Sequence, residues 1–202
     1  MKIARILYPV KNLGPGNRIG IWFSGCHRYC KGCANPELWD DKSIGDISGE
    51  TVQMVIGQLR SDKYPEIDGV TISGGEPFLQ PDALREVIKI LLKENIKDIL
   101  VYSGYQKVEL ESEYKDILED ISVLVDGAYI QEENDGHPLK GSKNQMIHYM
   151  KQECQDVYEK YILEEMEKNH VQMFTLSDGK IATGIHRQDF LQEYDKRILK
   201  KI

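Results

Sequence analysis

The sequence predicts an α/β fold: a partial, open βα barrel of parallel strands with a C-terminal helix-hairpin-helix extension. Three observations carry that prediction. Short continuous apolar runs alternate with amphipathic stretches, as in βα units whose parallel strands are covered on both faces. Glycines and polar residues follow each run, at Gly25-Cys26, Ser73-Gly74-Gly75-Glu76, Ser103-Gly104-Tyr105 and Asp126-Gly127. That pattern gathers chemistry at the carboxyl edge of the sheet, where barrels and open α/β sheets bind ligands. The units are too few for a complete eight-fold barrel, so the barrel is open.

The elements follow in order. The run over 19–24, Ile-Gly-Ile-Trp-Phe-Ser, reads as a buried strand that delivers the next loop at its carboxyl end. Ser48 opens a helix with Val52, Val55, Ile56 and Leu59 at i, i+3, i+4 and i+7. The stretch 69–73 is the next strand. Pro81 suits the first position of a helix that places Leu84, Val87, Ile88, Leu91 and Leu92 on one face. Strands over 98–102 and 121–125 flank a charged helical stretch over 108–119. After about Tyr149 the character changes. The segment 150–168 sets Met150, Cys154, Val157, Tyr158, Tyr161 and Ile162 at helical spacing. Two β-prone runs, 171–176 and 181–185, flank Ser177-Asp178-Gly179-Lys180, a hairpin signal, and a helix over 188–200 follows. The expected division is a domain over 1–148 and an extension over 149–202, with no internal repeat.

With 202 residues and 41% apolar content the chain can bury a core for one domain plus an appendage. A formal net charge of -7 argues against a nucleic-acid partner, which needs a clustered basic face. No apolar run approaches the roughly 18–20 residues of a membrane span, so no membrane partner is expected. The first ten residues lack the continuous apolar core and cleavage site of a signal peptide. Of four cysteines, three share one loop, which is no disulfide framework; a reducing cytoplasm is the expected compartment.

Those three are Cys26, Cys30 and Cys33, spaced C-x3-C-x2-C. Closed zinc sites and fully ligated iron-sulfur clusters take four protein ligands. Three thiolates from one short loop suit a cubane with one iron left free to hold something else. The plainer alternative is a zinc knuckle completed by Cys154 or His27, although His27 adjoins Cys26 and zinc sites usually draw on two separated pairs.

The spacing resembles the signature of the radical S-adenosylmethionine superfamily, and Ser73-Gly74-Gly75-Glu76-Pro77 resembles its G-G-E motif. Gly14-Pro-Gly16, Trp22-Phe-Ser-Gly-Cys26 and Cys33-Ala-Asn-Pro-Glu-Leu-Trp39 look like the activating enzymes of glycyl-radical enzymes. Lys140-Gly-Ser-Lys-Asn-Gln145 is similar to the segment that ends the short activase of the anaerobic ribonucleoside-triphosphate reductase, where Tyr102-Ser-Gly-Tyr105 and Val123-Leu-Val-Asp-Gly127 also have counterparts. The resemblance covers about the first 145 residues. It implies that Cys26, Cys30 and Cys33 ligate a 4Fe-4S cluster whose fourth iron chelates S-adenosylmethionine. By the same resemblance Gly74, Gly75 and Glu76 hold the methionine amine, and Ser103 and Asp126 help place the carboxylate or ribose. Asn144 and Gln145 are further candidates to contact cofactor or partner.

The chain departs from the pattern in three ways. Gly32 precedes the third cysteine where an aromatic residue is frequent, Met146 stands where an arginine is common, and the segment after Tyr149 is longer than in the short activase. The implied activity is radical generation on a glycyl-radical enzyme, with a low-potential electron donor such as flavodoxin or ferredoxin. No acid-base dyad is needed, because the cofactor carries the difficult chemistry. Two other readings remain open at this point: a radical S-adenosylmethionine enzyme acting on a different glycyl-radical enzyme, a peptide or a small molecule, and a non-catalytic iron-sulfur electron-transfer or binding protein.

Overall fold

Six strands form one mixed sheet in the order β1-β2-β3-β4-β5-β6. The computed structural model describes residues 1–42, 45–61, 64–166, 171–176 and 179–185. Strand β1 (Ile3–Val10) runs antiparallel to β2 (Arg18–Phe23). Helix α1 (Gly49–Leu59), capped by the Ser48 side chain on the Thr51 N–H, leads to β3 (Gly69–Gly74), and α2 (Pro81–Lys93) leads to β4 (Ile99–Tyr102). The short helices α3 (Lys107–Glu111) and α4 (Lys115–Asp120) precede β5 (Val123–Asp126). Strands β2 to β5 are mutually parallel, and β6 (Met146–Tyr149) closes the edge antiparallel to β5. Helix α5 (Gln155–Glu165) then precedes an antiparallel pair, β7 (Gln172–Leu176) and β8 (Gly179–Thr183).

The two-residue period of the strands divides the core. Ile19, Ile21 and Phe23 of β2 join Val70 and Ile72 of β3 against Val52 and Ile56 of α1 and Leu84, Val87, Ile88 and Leu91 of α2. The alternate positions face the other way. Leu100, Val123 and Val125 pack with Tyr158 and Tyr161 of α5, while Leu7, Val10 and Trp22 receive Phe174 and Ile181 of the hairpin. Helix α5 and the β7–β8 pair therefore cover the second face of the sheet, and both faces of the parallel strands are buried.

The structure departs from the periodicity in several places. The helical stretch expected over 108–119 is broken, because the Leu110 carbonyl accepts from both Glu113 and Tyr114 and ends α3. Tyr114 then packs on Phe78 with ring centroids 5.4 Å apart. The helix expected from residue 150 starts at Gln155, because the Met150 and Lys151 N–H groups are taken by the Ser122 carbonyl. Two strands carry no readable alternation: β1 is interrupted by two register shifts, and β6 has four residues, none of them buried. The second run of the hairpin begins at Gly179 instead of residue 181. Ser177, Asp178 and the helix expected over 188–200 lie outside the described residues.

At the end of the sheet opposite the cysteine loop, Arg18 is wholly buried. Its Nε donates to Thr71 Oγ1 at 2.7 Å, Nη1 to Asp98 Oδ2 at 2.7 Å and Nη2 to the Val70 carbonyl at 2.7 Å. The Tyr158 hydroxyl donates to the other carboxylate oxygen of Asp98 at 2.7 Å, and the guanidinium lies 5.7 Å from the Tyr158 ring. Burial alone lowers the proton affinity of Arg18, but the Tyr158 oxygen and the Asp98 carboxylate outweigh it and hold the guanidinium above its ordinary value. A charge from β2 thus ties α5 to the sheet.

Candidate metal and cofactor centre

Parallel register alone brings two sequence motifs together. Phe23, the last residue of β2, pairs with Gly74 at the end of β3, so both strands release their loops at one edge. The loops are then stitched: Gly75 N–H donates to the Phe23 carbonyl and Glu76 N–H to the Gly25 carbonyl, each at 2.8 Å. Gly25 and Cys26 donate in turn to the carbonyls of Leu38 and Trp39, at 2.8 and 3.0 Å. This approach requires glycine. Gly74 has φ +117, where side chains are strained, and a Cβ there would meet the Phe23 carbonyl; a Cβ at Gly75 would meet that of Gly25.

Cys26, Cys30 and Cys33 line one cavity of about 260 Å³ together with Gly75, Glu76 and Ser103. All three are free thiols, Cys26 buried and the others partly exposed. Burial pushes the Cys26 and Cys33 thiols up, so the thiolate form depends on a bound cation. Among the described residues no three His, Cys, Asp or Glu side chains converge as ligands of a single ion would. A cubane has a different requirement, since each thiolate binds its own iron, and three thiols spread around one cavity fit it. Neither residue considered for completing a zinc knuckle lines this cavity: His27 is exposed, and Cys154 packs against the cluster of Leu100 and Val123 with its Sγ donating to the Lys151 carbonyl at 2.9 Å.

Glu76 is 2% exposed. Its Oε1 accepts from Phe78 N–H at 3.1 Å and Ser103 Oγ at 3.0 Å, and its Oε2 from Gly104 N–H at 2.7 Å. Burial raises its proton affinity, partly offset by those donors and by nearby Arg28. A desolvated carboxylate on a cavity wall is stabilised by an arriving cation such as an ammonium group. The Ser103 hydroxyl is thereby committed to Glu76 and to Tyr105 N–H.

Asp126 stands apart from this group. It lines a neighbouring groove, where its Oδ2 accepts from Lys107 N–H at 2.6 Å and lies 3.0 Å from His148 Nε2. Arg28, Gly104 and Gly127 border both spaces. Gly74 supports the cavity from behind through its backbone and is not part of the wall. Asn144 and Gln145 act on backbone: Asn144 Nδ2 donates to the Ala128 carbonyl at 2.9 Å and Gln145 Nε2 to that of Gly127 at 2.7 Å. Gln145 Oε1 accepts from Gly141 and Ser142, so this residue shapes the loop around the cavity it also lines.

Sequence reasoning missed Arg28, Trp39, Tyr102 and the hairpin residues of the wall. Arg28 lies 4.4 Å over the Tyr105 ring, and a Cβ on Gly104 would strike its side chain. Its only signal in the sequence was its place inside the cysteine loop.

Comparison with known proteins agrees with this geometry. A family model described as "4Fe-4S single cluster domain" matches residues 12–148. The chain is 35% identical over 147 residues to the anaerobic ribonucleoside-triphosphate reductase-activating protein of Vibrio cholerae, spanning 70% of this chain and 94% of that one. It is 33% identical over 149 residues to the protein of the same name from Escherichia coli K12, covering 71% and 96%. The Haemophilus influenzae protein of that name is 36% identical over 143 residues, covering 68% and 91%.

Proposed function

Because this chain belongs to the anaerobic ribonucleoside-triphosphate reductase-activating proteins and carries a 4Fe-4S single cluster domain, we propose that it generates the glycyl radical of that reductase from S-adenosylmethionine bound at a three-cysteine cluster. The carrying observation is the shared cavity of Cys26, Cys30, Cys33, Gly75 and Glu76 at one sheet edge. The three thiolates hold the cluster. Glu76, already desolvated, accepts from the methionine ammonium, and the tight loop Gly74-Gly75 lets the ligand lie against backbone. Ser103 fixes the Glu76 carboxylate, and Asp126 holds the adjoining groove through Lys107 N–H and His148. When bound, cluster and cofactor supply reductive cleavage of a carbon-sulfur bond and a 5'-deoxyadenosyl radical. The chain's own contribution is to bind, aim and exclude water.

In this reading the six-stranded sheet is an open barrel over 1–148 with an extension over 149–202. The electron comes from a low-potential donor such as flavodoxin or ferredoxin in a reducing cytoplasm. Among the described residues no helix is long and apolar enough to cross a membrane. The acidic charge of -7 disfavours nucleic acid as a partner.

The test is anaerobic incubation of reconstituted protein with dithionite, S-adenosylmethionine and the reductase. The expected result is 5'-deoxyadenosine together with a glycyl-radical electron paramagnetic resonance (EPR) signal on the reductase. Cofactor cleavage without that signal would move the substrate elsewhere, and no cleavage at all would remove the enzyme reading. Glu76→Ala is expected to weaken S-adenosylmethionine binding by about 1.5–3 kcal/mol, the worth of a charge-assisted hydrogen bond, with iron content unchanged. Equal affinity in equilibrium binding would return Glu76 to a purely structural acceptor.

A further inference from the structure

One wall of the cavity lies beyond the residues that the family model matches. The family model stops at residue 148, yet Val171 and the run Ala182-Thr183-Gly184-Ile185 line the same cavity as the three cysteines. The hairpin is latched there. Asn12 Nδ2 donates to the buried Thr183 carbonyl at 2.7 Å, and Thr183 Oγ1 donates back to Asn12 Oδ1 at 3.3 Å. Gln172 donates to the Pro9 carbonyl at 2.8 Å and accepts from Lys11 N–H at 2.9 Å. Phe174, Ile181 and Ile185 pack against Val10, Leu13 and Trp22.

Strand register separates the two sides of this hairpin. Gln172 pairs with Thr183 and Phe174 with Ile181, and all four face the sheet; Met173, paired with Ala182, faces away. Met173 is 44% exposed, and Ala182 is exposed while lining the cavity. The inner side completes the core. Among the described residues the outer pair, Met173 and Ala182, joins no core cluster and carries the cavity wall outward onto the surface.

We propose that Met173, Ala182, Gly184 and Ile185 form the wall along which the glycine-bearing segment of the reductase lies when its glycine reaches the cavity. This rests on the activase reading above. The placement supports it: the hairpin residues line the same cavity as the three cysteines, so a segment that approaches the cofactor from this side meets them. Ala182 and Gly184 permit close approach of a backbone, while exposed Met173 offers adaptable apolar contact. None of the five hairpin residues lining the cavity is charged, so the hairpin adds an uncharged wall beside Arg28 and Glu76.

Hydrogen exchange on the anaerobic holoprotein, with and without the reductase from the same organism, tests this without a variant. Amides of residues 171–176 and 179–185 are expected to exchange at least about fivefold more slowly in the complex. Met173→Glu and Ala182→Glu, both on the outward side, are expected to weaken binding of the reductase about tenfold or more, as buried interface contacts do. If the wild type binds and activates the reductase but the hairpin amides are unprotected and both variants bind normally, the hairpin is a cap and this inference is overturned. If the wild type neither cleaves S-adenosylmethionine nor binds the reductase, the activase reading fails and takes the inference with it.

Discussion

Replacing Cys26, Cys30 or Cys33 by alanine is expected to abolish turnover. In the proposed reading each residue is one of three cluster ligands, and neither Cys154 nor His27 lines the cavity that the three share. A cubane held by two thiolates from one short loop has two irons without protein ligands and is lost to solvent. Anaerobically reconstituted wild type should carry about four irons per chain with the broad visible absorption of a cubane. Each single variant should fall well below that and form no detectable 5'-deoxyadenosine. Cys154→Ser serves as the control, since that thiol donates to the Lys151 carbonyl and packs beside α5. Full iron content in any of the three variants, or loss of iron in Cys154→Ser, would contradict the assignment.

Asp98→Ala should cost about 3–5 kcal/mol of folding stability, the usual penalty for leaving a buried charge without its partner. Arg18 is completely buried, whereas Asp98 retains 26% exposure of its side chain, so the stranded group would be the guanidinium. The Tyr158 hydroxyl would lose its acceptor in the same step, loosening α5 from the sheet. The measurement is a fall in the urea midpoint. The double variant Arg18→Met with Asp98→Leu should lose less than the sum of the single changes, because it removes the buried charge along with its partner. A loss below about 1 kcal/mol for Asp98→Ala would place the pair with ordinary surface ion pairs.

The parallel strands and their two main helices were legible because burial on both faces writes continuous apolar runs, and α2 repeats Leu84, Val87, Ile88 and Leu91 on one side. The cysteine loop and the Gly74-Gly75-Glu76 turn were legible as spacing, and register then brings them together. The antiparallel edges were not. Strand β1 breaks its period with two register shifts, and β6 ends on Tyr149 with only half-buried or exposed side chains. Arg18 was invisible because a charged residue opening a strand looks solvated until Thr71 and Asp98 are seen around it. Ser103 and Asp126 follow neighbouring strands and read as equivalent, yet one supports Glu76 and the other faces the outer groove. Side-chain direction past the strand end decides that, and no periodicity records it.

The latch between Asn12 and Thr183 joins residues 171 positions apart, while β1 finds β2 within a few residues of its end. Closing the longer loop costs more chain entropy, and contacts of such separation form after local ones. The expected order of assembly follows: β1 and β2 pair first, and the hairpin wall arrives last. During synthesis the interval is enforced, because the cysteine loop leaves the ribosome well before residue 183 does. The loop of Cys26, Cys30 and Cys33 therefore stands without its hairpin wall while that interval lasts.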